Sequence, residues 1–194
     1  MSKKHAHHQE RTMGHGERHG CAVTHNEAEL FELLVTVRNP FLLVLDCVQD
    51  PHNLGACLRT AAAVGVQAVI VPNRRAAPMT ETVKRIACGG AENVFFAQIT
   101  NLARTVRRLK EAGVQVIGTD HSAKRSLFEE DLSGPLALIL GAEGSGLRHL
   151  TAEMCSALVS IPMSGSISCL NVSVAAGVCL FEAKRQRLRV DQTP

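Results

Sequence analysis

The sequence predicts an α/β fold, with a mostly parallel sheet covered by helices on both faces. Three observations carry this. Continuous apolar runs of strand length recur along the chain, as expected where both faces of a strand are covered. Between them lie longer stretches with helical patterning, caps and glycine stops. Several runs then give way to segments rich in Gly, Ser and Asn, where open α/β sheets build their sites.

The elements follow in order. Residues 41–45 (Phe-Leu-Leu-Val-Leu) form the first strong strand. Residues 53–64 read as a helix ended by Gly65. Residues 68–71 are the next strand, stopped by Pro72, and 79–88 are helical. A strand at 94–96 precedes Asn101, which caps a helix through Lys110 that closes at Gly113. Residues 114–118 and 136–140 are strands. Residues 148–156 are helical, 158–161 a short strand, and the last helix runs over 171–187. No internal repeat is present.

The first 38 residues differ from the rest. Residues 1–20 are polar and place His5, His7, His8, His15 and His19 among Gly, Lys, Arg and Glu, a tract that reads as disordered. These histidines lack the fixed spacing of a metal site, and no metal is expected elsewhere. Residues 26–37 predict a short helix with Leu30, Phe31, Leu33 and Leu34 on its apolar face. The main domain is expected over 39–190.

Composition sets further bounds. Hydrophobic residues are 45% and charged residues 20% of the 194, ordinary for a soluble domain with a full core. No apolar run approaches the roughly 20 residues of a membrane span. No apolar segment follows Met1-Ser2-Lys3-Lys4-His5, so the start is not read as a secretory signal and a cytoplasmic location is expected. None of the seven cysteines is spaced as C-x-x-C, which predicts reduced core thiols. A net charge of +3 allows local basic patches without proving a nucleic-acid partner. With no Trp, no Tyr and six Phe, the chain offers little to stack against a base.

Three blocks carry the chemistry. The first is Asp50-Pro51-His52-Asn53-Leu54-Gly55-Ala56-Cys57-Leu58-Arg59. It puts Asn53 at a helix start and Arg59, a planar fork suited to phosphate, within that helix. His52 reads as a turn or cap residue. The second is Gly141-Ala142-Glu143-Gly144-Ser145-Gly146 after a buried strand. Its G-x-x-G-x-G spacing differs from a dinucleotide fingerprint and lacks the ending of a phosphate loop, which disfavours a nicotinamide dehydrogenase. It is either a ligand loop or a tight turn, and Glu143 either orients a neighbouring Asn or Arg or caps the next helix. The third is Ile161-Pro162-Met163-Ser164-Gly165-Ser166-Ile167-Ser168-Cys169-Leu170-Asn171. Its small residues leave main-chain groups free to read a purine edge, with Ile161, Met163 and Leu170 as apolar walls.

Together, the three blocks resemble the motifs of the SpoU/TrmH family of RNA 2′-O-ribose methyltransferases, in the SPOUT superfamily. The resemblance covers about 40–187 and is specific, because three long motifs occur in order at family-like separations. It implies a SPOUT α/β domain whose carboxy-terminal segment forms a deep trefoil knot. It implies S-adenosylmethionine as methyl donor, with Gly141, Ile161, Met163 and Leu170 as donor-binding positions. Asn53, Arg59, Glu143, Ser168 and Asn171 match the family's polar active-site positions. It further implies a homodimer through the knot region and last helix. The expected substrate is a guanosine of large-subunit ribosomal RNA, with tRNA or a catalytically silent RNA-binding role as alternatives. Relatives with this motif pattern carry a small RNA-binding domain ahead of the catalytic one, and about 38 residues are too few for it.

Overall fold

The computed structural model describes residues 23–142 and 144–190. The histidine tract and Glu143 lie outside the described residues. Seven strands form one parallel sheet in the order β1-β4-β3-β2-β6-β5-β7. They are β1 (Thr24–His25), β2 (Phe41–Asp46), β3 (Ala68–Pro72), β4 (Phe95–Ile99), β5 (Gln115–Thr119), β6 (Leu136–Gly141) and β7 (Ala157–Val159).

Helices α2 (Pro51–Val64), α3 (Glu81–Ala87), α4 (Gly90–Asn93) and α7 (Val172–Val190) cover one face; α1 (Glu27–Thr36), α5 (Leu102–Glu111) and α6 (His149–Met154) cover the other. The period-two alternation of a strand divides the core. Phe41, Leu43 and Leu45 pack toward α2 and α7, whereas Leu42 and Val44 pack toward α1 and α5. All six β2 residues are buried, which is why no polar alternation shows in the sequence. Each such Leu or Val contributes roughly 1.5–3 kcal/mol of burial.

The expected strands and long helices are present, with shifted ends. Helix α2 starts at Pro51, because Asp50 is a stronger cap: its carboxylate accepts from the His52 and Asn53 amides at 3.1 and 3.3 Å. Asn53 is therefore the third helical residue, and His52 lies inside the first turn rather than at the cap. Pro72 belongs to β3 instead of stopping it. The Asn73 amide points to β4, bonding the Ile99 carbonyl at 2.8 Å. Proline's missing N–H therefore faces the β2 side, where pairing has ended at Ile70. The short strand near 158 is shifted to Ala157–Val159, and Ser160 bridges Ser126 instead.

Three elements had no sequence expectation: β1, α4 and a 3₁₀ turn at Leu127–Glu129. All are four residues or fewer, too short for a hydrophobic period to repeat. Strand β1 and α1 pack on the sheet edge, with Leu30 fully buried. Glu27 fixes α1 to α5 through Arg104, Arg108 (3.1 Å) and the Thr105 hydroxyl (3.1 Å).

The chain path matters for the site. Strand β6 lies between β2 and β5; the chain then crosses to β7 outside β5 and returns as α7 against α2. The carboxy-terminal half of α7 is tied down twice. Gln186 accepts from the Leu132 amide at 2.8 Å and donates to the Glu130 carbonyl at 3.0 Å. Arg187 donates to the carbonyls of Asn39 and Pro40, at 3.2 and 3.0 Å, and of Gly134. Cys57 and Cys179 are core thiols, pushed by burial up to about 12; Cys88 and Cys169 are exposed.

Candidate active site

Strand β6 ends at Gly141, directly beside Asp46 of β2. The chain then folds back on itself. The Ala142 amide donates to the Gly146 carbonyl at 3.1 Å, and the Gly146 amide returns a bond to Ala142 at 2.9 Å. Gly144 (φ 81°) and Gly146 (φ 65°) take the left-handed backbone this turn demands. A Cβ on Gly141 would sit 2.1 Å from the Gly146 carbonyl carbon, so no side chain fits there. The second block is thus a tight turn and a cavity wall at once.

The loop is anchored from beneath. Asp46 is fully buried and accepts from the Arg148 Nε at 2.7 Å and the Arg148 amide at 3.3 Å. The hydrogen bond to Asp46 raises the Arg148 pKa above its ordinary value, outweighing partial burial. This pair escaped the sequence reading. The available signal was the one charged residue closing an otherwise apolar strand, Leu-Leu-Val-Leu-Asp.

Gly141, Ile161, Met163, Ser168 and Leu170 surround one cleft of about 290 Å³ at the carboxyl edge of the sheet. Leu140 and Val159 add apolar wall, and Thr119, Asp120 and His121 bring polar groups from the end of β5. These β5 residues were also missed; their only signal was a strand end, next to β6 in a sheet order the sequence does not print. Hydrogen bonds from the Ser122 hydroxyl and amide, both 2.7 Å, hold the Asp120 carboxyl below its usual range. It is ionised at neutral pH, suited to hydroxyl or cationic groups. Apolar walls with a few fixed polar groups fit a purine nucleoside carrying a charged chain.

The polar positions separate into two groups. Asn171 caps α7: its side-chain oxygen accepts from the Ser173 amide (2.9 Å) and hydroxyl (2.6 Å). Its side-chain nitrogen donates to the Asn53 side-chain oxygen at 3.0 Å, joining the first and third blocks. Arg59 is elsewhere. It follows Asn53 by six residues, about 240° around a helix of 3.6 residues per turn. That flank of α2 packs on α3 and α4: a Cβ on Gly55 would meet Ile86 at 2.7 Å, and one on Gly90 would meet the Arg59 Cα at 2.9 Å. The Arg59 side chain is exposed and does not line the cleft. Among the described residues no carboxylate, histidine and cysteine group gathers as for a metal, and no helix is long and apolar enough to cross a membrane.

An open parallel sheet with an apolar cleft at its carboxyl edge defines a cofactor-binding α/β enzyme domain. Residues 40–181 match the SpoU rRNA Methylase family, and the chain belongs to that family. It is 58% identical over 163 residues to the 23S rRNA (guanosine-2′-O-)-methyltransferase RlmB of Photorhabdus laumondii, covering 84% of this chain and 67% of that protein. It is 55% identical to the RlmB of Escherichia coli over the same shares. The chain therefore spans about two thirds of the length of these relatives. Among solved structures, it is similar to the SpoU methyltransferase AviRb of Streptomyces viridochromogenes in complex with AdoMet. That match has a TM-score of 0.74 and 30% identity, covering 80% of this chain and 64% of that one. It is also similar to the TrmH/SpoU tRNA modifying enzyme of A. aeolicus, with a TM-score of 0.72, 30% identity and 85% of both chains covered.

Proposed function

We propose that this chain is an S-adenosylmethionine-dependent RNA 2′-O-ribose methyltransferase acting on a guanosine of large-subunit ribosomal RNA in the cytoplasm. The carrying observation is the cleft in which Gly141, Ile161, Met163 and Leu170 converge beside the Asn171–Asn53 pair. Gly141 lets the Gly146 backbone close against it to form one wall of the cleft, and the apolar walls suit the adenine. When bound, S-adenosylmethionine supplies a methyl group on a sulfonium, already a strong electrophile.

The chain's own task is to present the ribose hydroxyl in line and to ease loss of its proton. Arg59 clamps the adjoining phosphate and polarises the hydroxyl; a guanidinium is a donor-only permanent cation and does not act as the base. Asn53 and Asn171, with Ser168 and Glu143, fix the geometry around it. Because Arg59 and the cleft lie on different flanks of α2, Arg59 serves the cleft of a second copy. Homodimerisation through α7 is supported by Val174, Phe181 and Leu188, exposed apolar residues recurring every seven positions along one stripe. Membership of the family supports the reading that the carboxy-terminal segment forms a trefoil knot.

The test is calorimetry with S-adenosylmethionine, followed by tritiated methyl transfer to unmodified 23S ribosomal RNA. Binding and transfer are expected, and Arg59→Ala should keep the donor affinity while losing about 100-fold or more in turnover. Full turnover in Arg59→Ala would remove its role. A tRNA substrate is the second reading, supported by similarity to the A. aeolicus tRNA modifying enzyme over 85% of both chains. Transfer to tRNA transcripts but not to 23S RNA would select it.

A further inference from the structure

A second cavity, of about 480 Å³, opens at the carboxyl ends of β3 and β4. Arg74, Arg75 and Arg148 line it, together with Thr100 and Asn101, and no acidic residue among the described residues does. We propose that this cavity holds the phosphodiester backbone of the RNA substrate and leads it to the methyl-donor cleft. The inference rests on the RNA methyltransferase reading above and names where the RNA is gripped.

Three observations point the same way. First, the arginines differ in how they are used. Arg148 is neutralised by Asp46, whereas the side chains of Arg74 and Arg75 make no hydrogen bond or ion pair among the described residues. Two uncompensated guanidinium forks on one cavity wall suit two phosphate groups. Second, Arg75 adopts a left-handed backbone (φ 62°), a conformation that costs a non-glycine residue roughly 1–2 kcal/mol. The loop is held in it from both sides: Asn73 bonds Thr100 at 3.2 Å, and the Ala77 amide bonds the Val48 carbonyl at 2.9 Å. Strain maintained at a cavity wall is characteristic of a ligand clamp. Third, one loop separates the two cavities. Its residues from Gly144 to Leu147 line the donor cleft, while Arg148, Leu150 and Thr151 line the arginine cavity. A strand lying along Arg74 and Arg75 is thereby directed over the Asp46–Arg148 anchor toward Gly141.

The cavity has no aromatic wall. Its chemistry recognises backbone charge rather than base identity, and phosphate contacts set register without reading sequence. This gives a chain without Trp or Tyr a way to hold RNA that needs no stacking.

The experiment compares the wild-type chain with the double variant Arg74→Gln/Arg75→Gln, binding an unmodified 23S ribosomal RNA transcript over a series of KCl concentrations. Each phosphate contact contributes about one to the slope of log Kd against log salt, so the double variant should lose about two and bind about tenfold or more weakly. The KM for RNA should rise, with kcat and calorimetric S-adenosylmethionine affinity unchanged. Arg74→Lys/Arg75→Lys should retain the wild-type slope. If the double glutamine variant loses donor binding, Arg74→Gln alone decides, with an expected slope change of about one. Wild-type slope and affinity in the glutamine variants, beside an active wild-type enzyme, overturn the inference and leave the methyltransferase reading standing. A wild-type protein that neither binds nor methylates RNA brings down both.

Discussion

Along one flank of α2, Asn53 meets Asn171 across 3.0 Å beside the cleft walled by Gly141, Ile161 and Leu170. Along the other, Arg59 lies over Gly90 with its side chain exposed. The two flanks differ in how complete they are. The first is finished within one chain: strand ends, a glycine turn and a helix cap converge there, and hydrogen bonds fix each of them. The second presents a cation whose side chain makes no hydrogen bond or ion pair among the described residues. A helix therefore sets two parts of one motif on different flanks, because residues six apart cannot share a face.

The sharpest way to break this comparison is to mix two dead variants. Gly141→Ala should lose donor binding, since the new Cβ collides with the Gly146 backbone rather than with a movable side chain. Arg59→Ala should bind donor and fail in turnover. Each alone is expected to fall by about 100-fold or more. Refolded together in equal parts, a site shared between subunits should recover about a quarter of wild-type methyl transfer, one good site in every mixed dimer. A site confined to one chain recovers none, and that result would place Arg59 beside its own Gly141 after all.

A smaller effect is expected at the anchor beneath the loop. Arg148→Gln leaves the fully buried Asp46 carboxylate without its partner and should cost about 3 kcal/mol in urea unfolding. Asp46→Asn should cost only about 1 kcal/mol, because the freed guanidinium, already 41% exposed, can turn to water. Equal costs would mean that the pair does not hold the loop in the way its burial implies. Similar to Asp46→Asn is Asn171→Ala, at about 1 kcal/mol for the lost helix cap, detected as a lower Tm together with weaker turnover.

How much of this was legible depends on what kind of interaction made it. Strands such as Phe41–Asp46 announced themselves, because a strand covered on both faces must be apolar throughout. The Asn101 cap was readable for a local reason: its side chain bonds the Arg104 amide three residues on. Asp50, equally local, was passed over for Asn53, although Pro51 behind it marks a first helical residue. Positions 141, 161, 163 and 170, expected to bind the donor, and the polar position 168 came from motif resemblance, and the structure sets them around one cavity. Thr119, Asp120 and His121 joined them through sheet order, and Asp46–Arg148 spans 102 positions of sequence. Neither relation leaves a periodic or local trace. Arg59 was grouped with Asn53 by motif, while the helix turn that separates them becomes visible only when α3, α4 and α7 are in place.

The sheet edge at α1 offers the mildest test, since it touches neither flank. Burial raises the Glu27 carboxyl, but hydrogen bonds from Arg104, Thr105 and Arg108 outweigh it and hold the pKa below the usual range. A lowered pKa in the folded state contributes stability that is present at neutral pH. It is lost as the pH falls from the ordinary glutamate range, about 4.3, through the folded value. Arg104 and Arg108 are 60% and 44% exposed, so the contribution is about 1 kcal/mol or less. Hydrogen exchange should show α1 amides losing protection on acidification before those of α2 or α7, and Glu27→Gln should abolish that early loss. If α1 and α2 opened together in acid, the edge would be part of the same cooperative unit as both flanks, and Glu27 would bear on the donor cleft as well.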